Sequence, residues 1–394
     1  MSRFAQLPVA AVGAAIAIAC QAPEPPGSSL ALTPPMGWNS WNRFACDVSE
    51  SLIRETADAM VASGMRDVGY EYVVIDDCWQ VDRTDDGTIV ADPERFPSGI
   101  AALAEYVHSK GLKFGLYTDI GPKTCQGRPG SYGHFLQDAQ TYAAWGVDYV
   151  KVDWCHADSL DAQSQYKAFR EALDATGRPI VLSICEWGRN RPWEWARGIG
   201  QLWRVTGDIW DGWQSVVWIM NANAPHWEAA GPGHWNDADM LEVGNGGMTF
   251  DEYRAHFAMW AMMASPLMAG NDLRKMSEET RSILTNPAVI AVNQDSLGAQ
   301  ARVIMDRGYG GQVWVKPLAD GSRAVAMLNL RPDSLELYVR WSDISIPAGP
   351  ARVRDLWERR DLGVHVDPGE DFGTRFRARV PGHGVVLLRI WPGG

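Results

Sequence analysis

Acidic residues stand at the ends of several short apolar segments in this sequence. The segment YVKVDWC carries Asp153, and comparable segments carry Asp76 and Asp77 (YVVIDD), Asp119 (FGLYTD), Glu186 (VLSICE), Asp208 and Asp211 (LWRVTGDIWD), and Asp237 and Asp239 (WNDADM). If these segments are neighbouring parallel strands, their carboxylates converge on one cavity. Glycoside hydrolysis uses many carboxylates without a metal, because one pair flanks the glycosidic bond and others bind sugar hydroxyls.

The elements that must position these acids alternate between short strands and helical patterns. From residue 31 to about 295 there are about eight strand–helix units, which fits a (β/α)8 barrel better than an open doubly wound sheet. No GxGxxG or P-loop pattern follows a strand, which argues against nucleotide binding. We predict a catalytic barrel over residues 31–300 and a C-terminal antiparallel β-sandwich over residues 301–394.

Lys151 and Asp153 alternate with valines, so at strand spacing the two charges share one face. Parallel barrel strands are covered by helices outside and packed side chains inside, which leaves no wet face along most of their length. Charges are tolerated near the carboxyl-terminal mouth, where active sites form. This position favours a functional role for the pair over a structural ion pair.

A metal site built from the acids is the main alternative. No histidine stands at ligand spacing, and aromatic and cationic residues are interleaved with the acids: Trp41, Tyr117, Lys151 and Arg204. We therefore expect neither a metal nor another cofactor. For single acids such as Asp119, Asp211 and Asp237, the alternative is a helix cap or a loop salt bridge.

The composition is that of a globular protein whose partner is not a polyanion. The chain has 394 residues, of which 46% are apolar and 21% charged, and it is long enough for two domains. Its net charge of −12 argues against nucleic acid or an anionic membrane surface as partner. Nineteen tryptophans offer platforms for sugar rings, with burial in the core as the alternative for each.

The N-terminus has the pattern of an export signal. The apolar run LPVAAVGAAIAIAC is too short for a membrane span and is followed by the spacer QAPEPPGSS, so residues 1–30 are predicted to be a signal peptide and spacer. Ala17 and Ala19 suit ordinary signal cleavage, whereas Cys20 resembles a lipoprotein acylation site. We expect a secreted, periplasmic or cell-surface protein, with a possible lipid anchor at Cys20.

Five further cysteines follow Cys20, namely Cys46, Cys78, Cys125, Cys155 and Cys185. An exported protein can hold disulfides, and an odd number leaves at least one thiol unpaired within the chain. The spacings show no zinc-type pattern and do not by themselves determine the pairing.

The sequence resembles family 27 of the glycoside hydrolases, the α-galactosidase and α-N-acetylgalactosaminidase family, over residues 31–392. The motifs that carry the resemblance are, in family order, PPMGWNSWNRF, YVVIDDCW, GLYTDIGPKTC, YVKVDWC, CEW, RVTGD and GPGHWNDADML. The resemblance implies a retaining enzyme that acts on α-galactosides, either oligosaccharides or polysaccharides, on a (β/α)8 barrel with a C-terminal β-sandwich.

The resemblance also implies roles for single residues. Asp153 matches the nucleophile and Asp208 the general acid/base. Eight residues match positions that line the galactose pocket: Trp41, Asp76, Asp77, Tyr117, Lys151, Glu186, Arg204 and Asp239. The implied disulfides are Cys46–Cys78 and Cys125–Cys155, which leaves Cys185 as a buried free thiol.

These roles agree with electrostatics. The cation of Lys151 should keep Asp153 ionised for attack, and repulsion from Asp153 should raise the pKa of Asp208 so that it holds a proton. When the glycosyl-enzyme forms, Asp153 loses its charge and Asp208 becomes the base that activates water. The two carboxyl groups should then lie about 5–5.5 Å apart.

The choice of sugar rests on three acids. Asp76 and Asp77 together suit galactose, because relatives that prefer L-arabinopyranose carry a larger acid in this space. Glu186 is bulky where relatives that accept N-acetylgalactosamine carry small residues. The alternatives are an α-N-acetylgalactosaminidase, a β-L-arabinopyranosidase, or a non-catalytic carbohydrate-binding relative. A non-catalytic relative would usually have lost Asp153 or Asp208, and both are present.

Overall fold

The computed structural model describes residues 30–306, 308–367 and 375–393. The predicted export signal and the acylation candidate Cys20 lie outside these ranges. Within them, no helix is both long and apolar enough to span a membrane.

The first part of the chain forms an eight-stranded parallel sheet and a separate hairpin. The ten strands of this part are β1 (Met36–Asn39), β2 (Tyr72–Val74), β3 (Gln80–Arg83), β4 (Ile89–Ala91), β5 (Lys113–Asp119), β6 (Tyr149–Asp153), β7 (Val181–Cys185), β8 (Leu202–Arg204), β9 (Trp235–Asp237) and β10 (Leu267–Ala269). β3 and β4 form an antiparallel hairpin, and the other eight follow the order β10-β1-β2-β5-β6-β7-β8-β9. Leu241, just after β9, pairs with Ala269 of β10 and joins the two edges. The predicted (β/α)8 barrel is confirmed.

Helices follow the strands and cover the barrel. They are α1 (Trp41–Phe44), α2 (Glu50–Ala62), α3 (Gly99–Ser109), α4 (Phe135–Ala144), α5 (Ala162–Ala175), α6 (Pro192–Trp195), α7 (Trp213–Asn223), α8 (Phe250–Met262), α9 (Glu278–Leu284) and α10 (Pro287–Asn293). Several begin at a side chain that accepts a hydrogen bond from the first turn, as Ser49 does for α2 and Thr249 for α8. Such caps satisfy backbone donors that the helix itself leaves unpaired.

Buried tryptophans tie the strand ends to the surrounding layer. The indole N–H of Trp79 donates to the Tyr117 carbonyl oxygen at 2.8 Å, and that of Trp260 donates to the Asp239 carbonyl oxygen at 2.7 Å. Both side chains are completely buried. An indole therefore fills core volume while its single donor holds the backbone of a residue at the barrel mouth.

The C-terminal part is antiparallel. Its strands are β11 (Arg302–Asp306), β12 (Gly311–Pro317), β13 (Arg323–Asn329), β14 (Leu335–Val339), β15 (Gly349–Asp355), β16 (Arg360–Asp367), β17 (Phe376–Val380) and β18 (Val385–Pro392). Six of them form a sheet in the order β11-β12-β13-β18-β15-β16, and β14 pairs with β17. A separate apolar core that includes Val313, Leu337 and Trp341 lies within this domain. The predicted antiparallel β-sandwich is confirmed.

Helix α8 joins the two parts of the molecule. It lies against β12, β13 and β18, and every residue from Ala255 to Met262 is buried. This explains why the C-terminal half of the helix, from Phe257 to Met262, is apolar on all sides instead of amphipathic. Lys316 of β12 is also completely buried at this junction, where its Nζ donates to the Ala261 carbonyl oxygen at 3.1 Å. Burial lowers the pKa of Lys316 to about 7.

Replacing Lys316 by methionine should stabilise the protein at pH 6 by a few kcal/mol, since one pKa unit corresponds to about 1.4 kcal/mol. The pKa of Lys316 in the folded protein, about 7, lies below its unfolded value of 10.5. The cost of burying the charge is therefore present in full below pH 7. The gain should shrink as the pH rises from 7 towards 10.5. Thermal denaturation at several pH values measures it.

The matched control is Lys113→Met, because Lys113 is exposed and pairs with Glu71 at 2.9 Å. Its effect on the melting temperature should be small at every pH, as is usual for surface ion pairs. A Lys316→Met variant that is less stable, or whose gain does not vary with pH, would contradict the account.

Candidate active site at the barrel mouth

Strand register places the predicted residues in rows. In β5, β6 and β7, one row contains Asp119, Asp153 and Cys185, and the row two residues earlier contains Tyr117, Lys151 and Ser183. Side chains two residues apart share a face of a strand, so both rows point the same way. A pocket near these rows is lined by Asn39, Tyr149, Lys151, Ser183, Arg204, Asp237, Asp239, Met240 and Met268.

Asp153 lies buried at the end of β6, with 6% of its surface exposed. The Tyr117 hydroxyl donates to its Oδ2 at 3.0 Å, and the backbone N–H of Trp154 donates to its Oδ1 at 3.2 Å. Burial raises the pKa of Asp153 to about 6, against the attraction of Lys151, which lowers it. Both oxygens are thus held in place, and the carboxyl group titrates near the acid end of the physiological range.

Lys151 pairs with a different carboxylate from the one that the sequence predicted. Its Nζ lies 2.8 Å from Asp76 Oδ2, and Asn39 Nδ2 donates to the same oxygen at 2.7 Å. Lys151 therefore acts on Asp153 through attraction over a longer distance than an ion pair. Sequence reasoning missed Asn39, although its position at the end of β1 follows the same rule that identified the acids.

Asp77 is anchored by backbone donors. It is buried, with 1% exposed, and accepts hydrogen bonds from the N–H of Cys78 at 2.7 Å and of Gln126 at 3.0 Å. Burial raises the pKa of Asp77 although these bonds oppose the shift. Asp76 and Asp77 are adjacent, so the N–H of Asp77 also donates to Asp76 Oδ1 at 2.9 Å.

Arg204 connects two further acids on the other side of the mouth. Its Nη2 lies 2.9 Å from Asp239 Oδ2 and 3.2 Å from Asp208 Oδ1. The Arg204 side chain is buried, whereas 64% of the Asp208 side chain is exposed. Arg204 is therefore the cation that holds Asp208 at the opening of the site.

The pKa of Asp208 differs from the sequence-based expectation. Burial acts to raise it, but the attraction of Arg204 and then of Lys151 outweighs burial, and the pKa lies below its usual value. The expected rise in the pKa of Asp208 is absent, because attraction to Arg204, a cation that the linear sequence does not connect with Asp208, outweighs burial.

Three acids take the structural role that the sequence left open. Asp119 is completely buried and accepts from the N–H of Gly121 at 2.6 Å and of Cys155 at 2.8 Å; burial raises its pKa to about 8. Asp237 accepts from the N–H of Asp239 at 2.8 Å. Asp211 accepts from the Tyr253 hydroxyl at 3.1 Å. Asp119 and Asp211 thus hold loops beside the pocket, whereas Asp237, at the end of β9, also lines the pocket.

Glu186 and Trp41 each form hydrogen bonds with a residue close to them in the chain. Glu186 is completely buried, and its Oε2 accepts from the backbone N–H of Asn190 at 2.5 Å and from Asn190 Nδ2 at 2.9 Å. Burial raises the pKa of Glu186 to about 7. Trp41 is partly buried, and its backbone N–H donates to Asn39 Oδ1 at 2.8 Å at the start of α1. The contact of either side chain with a sugar stays a prediction.

Both disulfides implied by the resemblance are present, Cys46–Cys78 and Cys125–Cys155, and Cys185 is a buried free thiol. Cys125 Sγ lies 3.4 Å from Asp153 Oδ2, so this bridge forms part of the wall beside the carboxylate. Among the described residues, Asp119, Cys125 and Cys155 form a group close enough to share a metal. Both sulfurs are bonded to each other, so neither is a thiolate ligand.

Several carboxyl groups gather at the carboxyl end of a (β/α)8 barrel. One of them is buried, and another is exposed and pairs with an arginine. This is the arrangement of a glycoside hydrolase. The chain belongs to the α-galactosidase A family. The model of this family matches residues 33–295, and the model of the α-galactosidase C-terminal β-sandwich domain matches residues 309–390.

Known α-galactosidases are similar to this chain over nearly its full length. An α-galactosidase A of Cellvibrio japonicus is 48% identical, with 96% of each chain covered. The crystal structure of α-galactosidase I from Mortierella vinacea superposes with a TM-score of 0.88 at 39% identity, covering 92% of this chain and 98% of that one. An α-galactosidase of Saccharomyces cerevisiae, solved with raffinose, gives a TM-score of 0.86 at 32% identity, covering 94% and 100%.

Replacing Cys125 and Cys155 together by serine should lower the free energy of unfolding by about 3 kcal/mol, because the bridge spans 30 residues and restricts the unfolded chain. Urea denaturation measures the loss. The Cys46–Cys78 bridge spans 32 residues, so its double serine variant is a matched control for stability.

The two variants should lose similar stability but differ in activity well below their melting temperatures. Within the described residues, the Cys125–Cys155 bridge is the one that contacts Asp153, so its removal should reduce the catalytic rate more. A larger loss of activity in the Cys46–Cys78 variant would contradict this role.

Proposed function

We propose that this protein is a retaining α-galactosidase that hydrolyses terminal, non-reducing α-D-galactosyl groups of oligosaccharides or polysaccharides. The observation that carries the proposal is the pair of unlike carboxyl groups at the mouth, the buried Asp153 and the exposed Asp208. Retaining hydrolysis needs two carboxyl groups with separate tasks. The name and high identity of the Cellvibrio relative support the same sugar.

In this proposal Asp153 attacks the anomeric carbon and forms a glycosyl-aspartate bond. The glycosidic oxygen leaves with the proton of Asp208. Water then gives a proton to Asp208 and attacks the same carbon, which releases galactose and restores both carboxyl groups. The donors on both oxygens of Asp153 orient it for attack, since Tyr117 and the Trp154 N–H fix the plane of the carboxylate.

The polar groups opposite Asp153 suit the hydroxyls of galactose. Asp76 is held by Lys151 and Asn39, and Asp77 by two backbone N–H groups, so both are rigid acceptors. Rigid acceptors lose little entropy when a sugar hydroxyl binds. Their adjacency supports a hexose with an axial 4-hydroxyl and a free 6-hydroxyl over a pentose.

We also propose that the protein acts outside the cytoplasm. Disulfides persist in oxidising compartments, and two are present in the barrel. The export pattern at residues 1–30 supports the same location, with either signal cleavage or acylation of Cys20 as the processing step.

The test is hydrolysis of aryl α-galactoside, aryl α-N-acetylgalactosaminide and aryl β-L-arabinopyranoside by the wild type and two variants. The wild type should act on the first substrate alone. Asp153→Ala should reduce kcat by at least about 1,000-fold, because no glycosyl-enzyme can form. Asp208→Ala should lose more rate on substrates with poor leaving groups than on activated ones.

Other outcomes would contradict separate parts of the proposal. Release of the aryl group from the α-N-acetylgalactosaminide or the β-L-arabinopyranoside would contradict the assignment of galactose as the substrate sugar. Near-normal turnover by Asp153→Ala would remove the nucleophile assignment, and equal losses on both leaving groups would remove the acid role of Asp208.

The pH dependence of kcat/KM should be bell-shaped with its maximum below about pH 6, because this parameter reports the free enzyme. Asp153 must be ionised and Asp208 protonated for reaction. The pKa of Asp153 is about 6 and that of Asp208 lies below its usual value, so above pH 6 both lose their protons. Initial rates from pH 3 to 9 measure the profile. A plateau that extends beyond pH 7.5 would contradict it.

A further inference from the structure

Trp210 is an exposed aromatic residue two positions after Asp208. Of its surface 55% is exposed, and 64% of the Asp208 side chain is exposed, whereas Ile209 between them is 6% exposed. Both side chains that flank the buried Ile209 thus face solvent, and the indole lies two positions along the loop from the carboxyl group that faces the opening of the site.

The loop that carries Trp210 is fixed on both sides. The N–H of Ile209 donates to Asp239 Oδ2 at 2.8 Å, and the N–H of Trp210 donates to Ser215 Oγ at 3.1 Å. The indole packs over Gly212, where an added Cβ would lie 3.1 Å from Trp210 Nε1. The ring thus has a defined position before any ligand arrives.

The outer face of this indole is unoccupied by protein. Within the described ranges, no aromatic ring or cation stacks on Trp210, in contrast to Trp187, on which Arg189 lies at 4.6 Å. A rigid exposed indole offers a large apolar platform at low entropic cost, and such rings stack against the apolar face of flat ligands.

We propose that Trp210 is the platform for the aglycone and selects substrates whose leaving group is itself a sugar ring. The inference rests on the function proposed above. The acid must reach the glycosidic oxygen, so the aglycone bonded to that oxygen lies next to Asp208. The galactosyl group points towards the buried Asp153, which leaves the aglycone on the open side, where Trp210 stands.

The experiment compares raffinose, whose aglycone contains sugar rings, with methyl α-galactoside, whose aglycone has none. Both leaving groups need a proton from the acid, so impaired acid catalysis affects both. Trp210→Ala should lower kcat/KM for raffinose about tenfold, mainly through KM, and change that for methyl α-galactoside less than about twofold. Trp210→Phe should retain most of the wild-type preference.

Trp218→Ala is the matched control, because Trp218 is also exposed, at 49%, but lies within α7. It should leave both substrates unchanged. Equal losses on both substrates in Trp210→Ala would overturn the inference and make Trp210 a positioning residue for Asp208. Unchanged raffinose kinetics would also overturn it. A wild type that hydrolyses neither galactoside would instead overturn the proposed function itself.

Discussion

The site depends on two cations, the buried Arg204 and the partly buried Lys151, that hold a larger number of carboxylates at the barrel mouth. Lys151 pairs with Asp76, and Arg204 pairs with Asp239 and Asp208. A buried carboxylate without a partner would take up a proton, because burial disfavours the charged form. The acids in turn outweigh burial at Lys151 and hold its pKa above the usual value. Each cation holds its neighbouring carboxylates in place.

Burial explains why some carboxyl groups near the mouth bind protons more tightly than usual. Burial raises the pKa of Asp153 to about 6, that of Asp237 to about 6 and that of Asp119 to about 8. Asp208 differs because it stands at the opening and contacts Arg204. Asp153 therefore binds a proton more tightly than Asp208 in the free site, so the reacting form, with Asp153 ionised and Asp208 protonated, is the minor one.

The surrounding layer keeps this charged cluster rigid. Indole donors hold the backbone of Tyr117 and Asp239, and a disulfide lies against Asp153. Helix α8 carries Trp260 and also forms the contact with the β-sandwich, so the second domain supports the mouth through this helix. Rigidity matters because a displacement of about 1 Å at a reacting group can reduce the rate about 100-fold.

The barrel, the β-sandwich and the acids at the strand ends could all be predicted from sequence patterns. Alternation in YVKVDWC indicated that Lys151 and Asp153 share a face, and that depends only on local backbone geometry. Which charges meet could be read only from the folded chain. Lys151 bonds Asp76, 75 residues away, because strand register and barrel closure set the distances between strands. For the same reason, only the folded chain could show that Arg204 lowers the pKa of Asp208 and that Asn39 belongs to the site.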